Sequence, residues 1–523
     1  MHEDISMYEC RNCAGNLKFD IASQKLFCEF CGTMEDPYDV YKERDAEEST
    51  QYEVIVFTCP QCGGEILSED TTAATFCNFC GAATILSSRI SKERRPHHII
   101  PFTKTKDDCK KAYAKMVRHA IFAPKELRDE AHIEKFRGIY MPYWIYSFEK
   151  KETIFFTGSK SSQKGDYLIT RHYTMQSNVD AAYSGIAYDA SAAFSDNLSG
   201  AIAPFHLEEE KPFTPSFLSG FYADTNDVDS YVYEGEAQDM VMEDGSKRIS
   251  KNAVCSRFHV GEGKNKNSLK NALQPAQTVK ELAMLPVWFL SYRKGDKVAY
   301  AVVNGQTGKA AADLPVDVKK YVAGSLFLAL PLFLLLNLFF TIIPMWLLIL
   351  AALLACVCAY VSVSQLSRLM VKESGEEDKG YQFVQGKSSE VKKKIKIIST
   401  SILITVLGFF APYILLAEIF SGGSGLVTGI LFALAAAGIV LGGSLRKRRI
   451  PLKTAFPVLV KPLGAVVLAG VILALNPISD LYYYGGAVVS LCMVIWTLID
   501  IIRRYNLLTM RKLPQFNRRG GEV

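Results

Sequence analysis

Apolar and polar positions divide the chain into unlike parts. From 321 to 367 run 47 residues without one Asp, Glu, Lys or Arg. A bilayer core takes about 20 apolar residues per helix, so this stretch predicts a hairpin of two spanning helices that turns within 337–344. Two further hairpins are predicted, 397–417 with 424–443 and 456–476 with 482–502. Lys461 falls near the end of its span, where a long side chain reaches the interface. Glu418 and Asp480 fall in the turns of these last two hairpins.

Upstream the pattern is that of a soluble domain. Residues 103–123 carry a helical stripe of Ala112, Met116 and Ala120. Thr105 and Asp108 are placed to cap this helix and Pro124 to end it. Two segments, 142–147 and 286–291, share the pattern Pro-x-Trp-x-x-Ser and predict two similarly placed strands. The second leads through Lys294-Gly295-Asp296 into 298–303, a hairpin closed by Asn304-Gly305. An α+β domain with an antiparallel sheet is expected over 96–320.

Charge sharpens this division. The 523 residues carry a net charge of +5. Residues 1–95 alone are at −8, whereas 321–523 are at +11. The basic residues of the tail fall between spans two and three, between spans four and five, and after span six. By the positive-inside rule this predicts a multi-pass membrane protein with both termini and the whole head in the cytoplasm. The start of the chain has no apolar run and predicts no signal peptide.

Eight of the 13 cysteines form one pattern twice: Cys10-x2-Cys13-x14-Cys28-x2-Cys31 and Cys59-x2-Cys62-x14-Cys77-x2-Cys80. Each Cys-x2-Cys is a knuckle that turns two thiolates toward one ion, and glycine follows directly at Gly32 and Gly81. Two knuckles joined by a hairpin make a four-thiolate site suited to Zn²⁺, so two zinc ions are expected. A rubredoxin-like iron site would use similar ligands. Phe27, Phe30, Phe76 and Phe79 are expected to form the small ribbon cores.

The fold class that follows is multidomain: two N-terminal β zinc ribbons, a cytoplasmic α+β domain, and an all-α membrane domain of six helices in three hairpins. Ribbon 1 spans 1–40, ribbon 2 with its linker 41–95, the membrane domain 321–502 and a basic tail 503–523.

Ribbons of this kind often bind nucleic acid, and a membrane-tethered nucleic-acid-binding regulator is the alternative function. Charge opposes it. No Lys or Arg lies between Arg44 and Arg89, and phosphate binding rests on cationic side chains. A metal-sensing transporter is the less favoured alternative, because intramembrane charges are scarce. No catalytic set or small-molecule substrate emerges. Gly386-Lys387-Ser388 has the wrong spacing for a phosphate loop, and His97-His98 read as linker histidines.

The twin ribbons resemble the TFIIB-type zinc ribbons of bacterial multi-pass membrane proteins of the YdjG kind. The segments Pro124-Lys-Glu-Leu127, Gly138-Ile-Tyr-Met-Pro-Tyr-Trp144 and Phe217-Leu-Ser-Gly-Phe-Tyr-Ala-Asp224 look like that family's middle domain. The resemblance covers about 1–315 and is weaker in the tail. It implies a membrane-bound partner of a flotillin-like (SPFH-domain) protein in envelope-stress protection. The expected role is a non-enzymatic scaffold in the bacterial cell membrane that docks a cytoplasmic protein.

Overall fold

The computed structural model describes residues 8–41, 51–68, 77–81, 87–263, 265–275, 277–339, 343–374, 378–384, 450–475 and 477–512. The expected hairpin over 397–443, Phe76, Gly386-Lys387-Ser388 and residues 513–523 lie outside them.

Three strands, β1 (Leu17–Asp20), β2 (Lys25–Cys28) and β3 (Met34–Glu35), form a small antiparallel sheet at the N-terminus. The remaining strands join one 12-stranded sheet. They are β4 (Gln51–Thr58), β5 (Glu65–Ser68), β6 (Ser87–Arg94), β7 (His98–Ile99), β8 (Arg137–Lys164), β9 (Tyr167–Asp189), β10 (Lys211–Pro212), β11 (Tyr222–Asp224), β12 (Gln277–Lys294), β13 (Lys297–Asn304), β14 (Ala310–Ala312) and β15 (Arg511–Lys512).

The centre of the large sheet is β8 against β12, antiparallel from Arg137↔Phe289 to Glu149↔Gln277. Strands covered on both faces read as near-continuous apolar runs, and both do so here. Ile139, Met141, Tyr143 and Ile145 pack on one face with Leu285, Val287 and Phe289. Tyr140, Trp144, Tyr146 and Phe148 pack on the other. The two Pro-x-Trp-x-x-Ser segments are thus adjacent, and Met141 opposes Leu285 between them.

The helix Lys106–His119 carries the expected Thr105/Asp108 capping box. Its buried line is Cys109, Tyr113 and Val117, with Ala112, Met116 and Ala120 at the flank. It stops at His119 rather than 123, because the Ala120 N–H bonds Val117 O three residues back and closes the last turn.

The sheet is mixed, not purely antiparallel: β7 runs parallel to β12, and β11 parallel to β8. These two exceptions are related. Trp144 and Trp288 lie 144 positions apart, and the same step takes Ile139-Tyr140 to Ala283-Met284. Ile139-Tyr140 pair with Tyr222-Ala223, and Ala283-Met284 pair with His98-Ile99. Trp144 donates its indole N–H to Val228 O at 2.8 Å, and Trp288 donates to Lys104 O at 2.9 Å. Each acceptor lies just before the helix that covers its own face, Tyr231–Ser250 and Lys106–His119. The domain is therefore two copies of one strand–helix–hairpin unit about a pseudo-two-fold at Met141/Leu285, with the short first strands exchanged.

This exchange also relocates the histidines. His97 and His98 enter β7 and its approach rather than a linker: the His97 N–H donates to Leu282 O at 2.7 Å, and its Nδ1 accepts from the Leu282 N–H at 3.2 Å.

Among the described residues of the tail, three helices are long and apolar enough to cross a membrane: Pro344–Glu373, Lys453–Leu473 and Asp480–Thr509. A further helix, Val318–Phe339, precedes them. Lys461 does not simply reach for the interface. Its ammonium pairs with Asp500 and lies 4.1 Å from the centre of the Trp496 ring. Asp500 lies on another helix, so nothing local in the sequence marks it as this partner; charges among apolar helices are held by such pairings. After the last helix the chain returns to the sheet, where β15 pairs β13.

Candidate metal centres

Both cysteine sets fold into convergent groups, with all four Sγ atoms of each set within 4.8 Å of one another. The cause is local and repeats four times. The amide after the second cysteine of each knuckle donates back to the carbonyl of the first: Ala14 to Cys10 at 2.8 Å, Gly32 to Cys28 at 2.9 Å, Gly63 to Cys59 at 2.8 Å and Gly81 to Cys77 at 2.9 Å. The turn needs a left-handed residue there, and the φ angles are 54°, 74°, 75° and 67°. Three of the four are glycine, which takes this conformation without strain. Ala14 takes it at a cost of about 1–2 kcal/mol.

The sulfur spacings can be set against a metal. A Zn–S bond of about 2.3 Å in a tetrahedron places neighbouring sulfurs about 3.8 Å apart. Cys59 and Cys80 Sγ are 3.8 Å apart, and Cys62 and Cys77 Sγ are 3.7 Å apart. Cys10 and Cys31 Sγ are 3.5 Å apart, and Cys13 and Cys28 Sγ are 3.4 Å apart. Disulfides would need about 2.05 Å, and all these cysteines are free. Each group can hold one metal ion, and the pair of sites is compatible with two zinc ions.

The surroundings differ. Cys59, Cys62, Cys77 and Cys80 are all buried, in a core shared with Phe57, Ile66 and Phe79. The β4–β5 hairpin that carries the first knuckle is part of the large sheet, because β5 pairs β11. The second knuckle lies against the β12–β13 hairpin. Tyr300 donates its hydroxyl to Phe79 O at 2.7 Å, and the Phe79 ring meets Phe289 edge-on at 6.2 Å.

The first group is open. Cys10 and Cys28 are buried, but Cys13 and Cys31 are exposed. The Thr33 hydroxyl, followed by the Thr33 amide, holds the Cys31 thiol down to about 6. Phe30 is not ribbon core: it is 78% exposed. It lies over Gly15, where a Cβ would come within 2.6 Å of its ring, because three strands of four, four and two residues with two knuckles leave little interior for another large ring. Phe27 is half-buried and Phe79 fully buried.

What holds this first group in place is a segment read in the sequence only as a resemblance. Residues 215–221 form its seat. Phe19 donates its N–H to Ser219 O at 3.1 Å, the Ser219 hydroxyl donates to Leu17 O at 2.5 Å, and the Ser216 hydroxyl donates to Pro37 O at 2.7 Å. The Phe19 ring packs on Phe217 with centroids 5.3 Å apart. Gly220, at φ 85°, turns the chain out of this seat and into β11.

One curated relative, the uncharacterized protein YdjG of Bacillus subtilis (strain 168), is 32% identical over 340 residues, which is 63% of this chain and 97% of the relative. No protein-family model matches the chain. No solved structure matches it either.

Proposed function

We propose, from the premise that this chain belongs to the same family as YdjG, that it is a non-enzymatic zinc-binding scaffold of the bacterial cell membrane. Six helices anchor it, with both termini in the cytoplasm, where the basic loops belong and reducing conditions keep thiolates available. The head docks a cytoplasmic partner, a flotillin-like (SPFH-domain) protein, in the service of envelope-stress protection.

One observation carries this reading. The first cysteine group presents Cys13, Cys31 and the bare ring of Phe30 to solvent on a ribbon whose back is fixed to the domain. A rigid, metal-ordered surface with an exposed aromatic ring has the make-up of a protein-binding site, since aromatic rings dominate interface energetics. The acidic head gives nucleic acid no comparable purchase.

The test is affinity purification of the full chain from detergent-solubilised membranes with a co-expressed flotillin-like protein. The double substitution Cys13→Ser/Cys31→Ser is expected to lower recovery of the partner by about tenfold or more, while membrane insertion stays intact. Unchanged recovery would sink the reading.

A further inference from the structure

The head and the membrane domain meet at a seam of carboxylates. The short helix Lys379–Val384, which follows the spanning helix Pro344–Glu373, lies against the start of the helix Tyr231–Ser250. Side chains of the head tie down its backbone. The Lys379 N–H donates to Asp196 Oδ2 at 3.0 Å, and the Gly380 N–H donates to the Tyr233 hydroxyl oxygen at 3.0 Å. That hydroxyl donates in turn to Asp196 Oδ1 at 2.6 Å. The approach needs a glycine, because a Cβ at Gly380 would come within 3.0 Å of Val228 and 3.1 Å of the Tyr233 hydroxyl. Phe383 meets the Tyr231 ring edge-on at 5.5 Å, and the Lys379 ammonium pairs with Glu236 at 2.6 Å.

Beneath this joint, at the end of β9, lies Asp189. It is 2% exposed, and its Oδ2 has no hydrogen-bond partner among the described residues. The charges it feels are those of Asp196 and Asp378. Asp378 opens the short helix by accepting the Tyr381 N–H at 2.9 Å. Three separate elements thus bring three carboxylates together. The groups around them offer little compensation. Asp227 faces Asp378 and Glu236 faces Asp196, and both add negative charge. Tyr143, Tyr188 and Tyr233 are phenols that burial keeps protonated. Lys379 faces Asp196 but is engaged with Glu236. Arg511 of β15 faces Asp378, and it is shared with Asp313 at 3.8 Å and the Ser195 hydroxyl at 2.5 Å.

A carboxylate taken out of water without a partner favours its neutral form, and neighbouring carboxylates reinforce that preference. Burial, and after it the charge of Asp196, lifts Asp189 well above the ordinary carboxylate range. Burial also raises Asp196. Burial followed by Asp196 pushes Asp378 up to about 7. Once the short helix leaves the seam, Asp378 and Asp196 meet water and return toward ordinary carboxylate behaviour. The docked form therefore binds more protons than the released form. Docking is strongest in acid, weakens as pH rises from the ordinary carboxylate range toward 7, and is flat above it.

We propose that residues 378–384 are a proton-operated latch: a proton held by the cluster of Asp189, Asp196 and Asp378 keeps this segment on the head, and loss of the proton frees it. The proton belongs to the cluster rather than to one residue. Acidity around the head thereby sets how firmly the head is fastened to the membrane domain. The latch does not depend on the docking role of the ribbon.

The experiment is hydrogen–deuterium exchange of the detergent-purified full chain from pH 5.5 to pH 8, each rate being divided by the intrinsic rate at that pH. The Lys379 and Gly380 amides should lose about tenfold or more of their protection across this range, since one linked proton changes the docking equilibrium about tenfold per pH unit. Amides of the β8–β12 pair should keep theirs, which separates release of the latch from unfolding. Asp378→Asn retains an acceptor for the Tyr381 N–H and removes the charge, so protection should stay high and flat with pH. Gly380→Ala should lower protection at pH 5.5 by about fivefold or more, because the added Cβ crowds the seam. Protection that is independent of pH in the unmodified chain, an unchanged pH dependence in Asp378→Asn, or undiminished protection in Gly380→Ala would each overturn the proposal.

Discussion

The two four-cysteine groups are built from the same sequence pattern and the same pair of knuckle turns, yet they occupy opposite environments. The second is enclosed: its hairpin is sheet, its thiols are buried, and Tyr300 and Phe289 close over Phe79. The first is fixed from behind by residues 215–221 and bare in front, where Cys13, Cys31 and Phe30 meet solvent. A motif that gathers metal ligands therefore says nothing about what the metal is for. Neighbours acquired through long-range pairing decide that. The enclosed group is part of the domain's core, and the open group is a surface the domain presents.

The largest expected effect would break this distinction if it failed. Replacing an enclosed ligand, as in Cys62→Ser, removes a metal whose binding free energy in small zinc domains is about 10–16 kcal/mol. We expect loss of near-UV circular dichroism and of protease resistance across the head. Cys31→Ser should cost one metal and leave the β8–β12 core folded. Equal damage from both substitutions would mean that the two groups do the same job.

A smaller effect separates the seat of the open ribbon from its metal. Phe19→Ala should cost about 3–5 kcal/mol of docking, seen as faster amide exchange over β1–β3, while the metal content of the chain stays constant. On the enclosed side, Tyr300→Phe deletes the hydrogen bond to Phe79 O and should lower thermal stability by about 1 kcal/mol. The same change should leave exchange in the first ribbon untouched.

The smallest effect compares the turns directly. Ala14→Gly should stabilise the open ribbon by about 1 kcal/mol, and Gly63→Ala should destabilise the enclosed one by about 1–2 kcal/mol. Chelator midpoints of the two variants, moving in opposite directions, would check both.

What could be read in the sequence was local. The grouping of the eight cysteines into two convergent sets and the positive-φ residues at Gly32 and Gly81 follow from spacing alone. The capping box at Thr105 and the hairpin through Gly295 follow from short patterns. The shared Pro-x-Trp-x-x-Ser motif pointed to two similarly placed strands, and it is the structure that pairs them, β8 with β12. Contacts made across long separations left no such trace. The β5–β11 pairing that encloses the second group joins residues more than 150 positions apart. Phe30 and Phe79 occupy matching places in the repeat, and only tertiary packing decides which one is buried. Lys461 was visible as a charge in an apolar span, but its partner Asp500 sits on the next helix. Six spans were expected from hydropathy, of which three stand as long apolar helices among the described residues.

The most direct test of the unequal pair is metal analysis of the purified full chain during graded chelation, with mass spectrometry of alkylated cysteines at each step. We predict two zinc ions per chain at the start. Mild chelator should remove one, with alkylation appearing at Cys13 and Cys31 first, and the second ion should leave only as the head unfolds, with Cys59, Cys62, Cys77 and Cys80 alkylated together. Simultaneous loss of both ions, or prior alkylation of the enclosed set, would contradict the account.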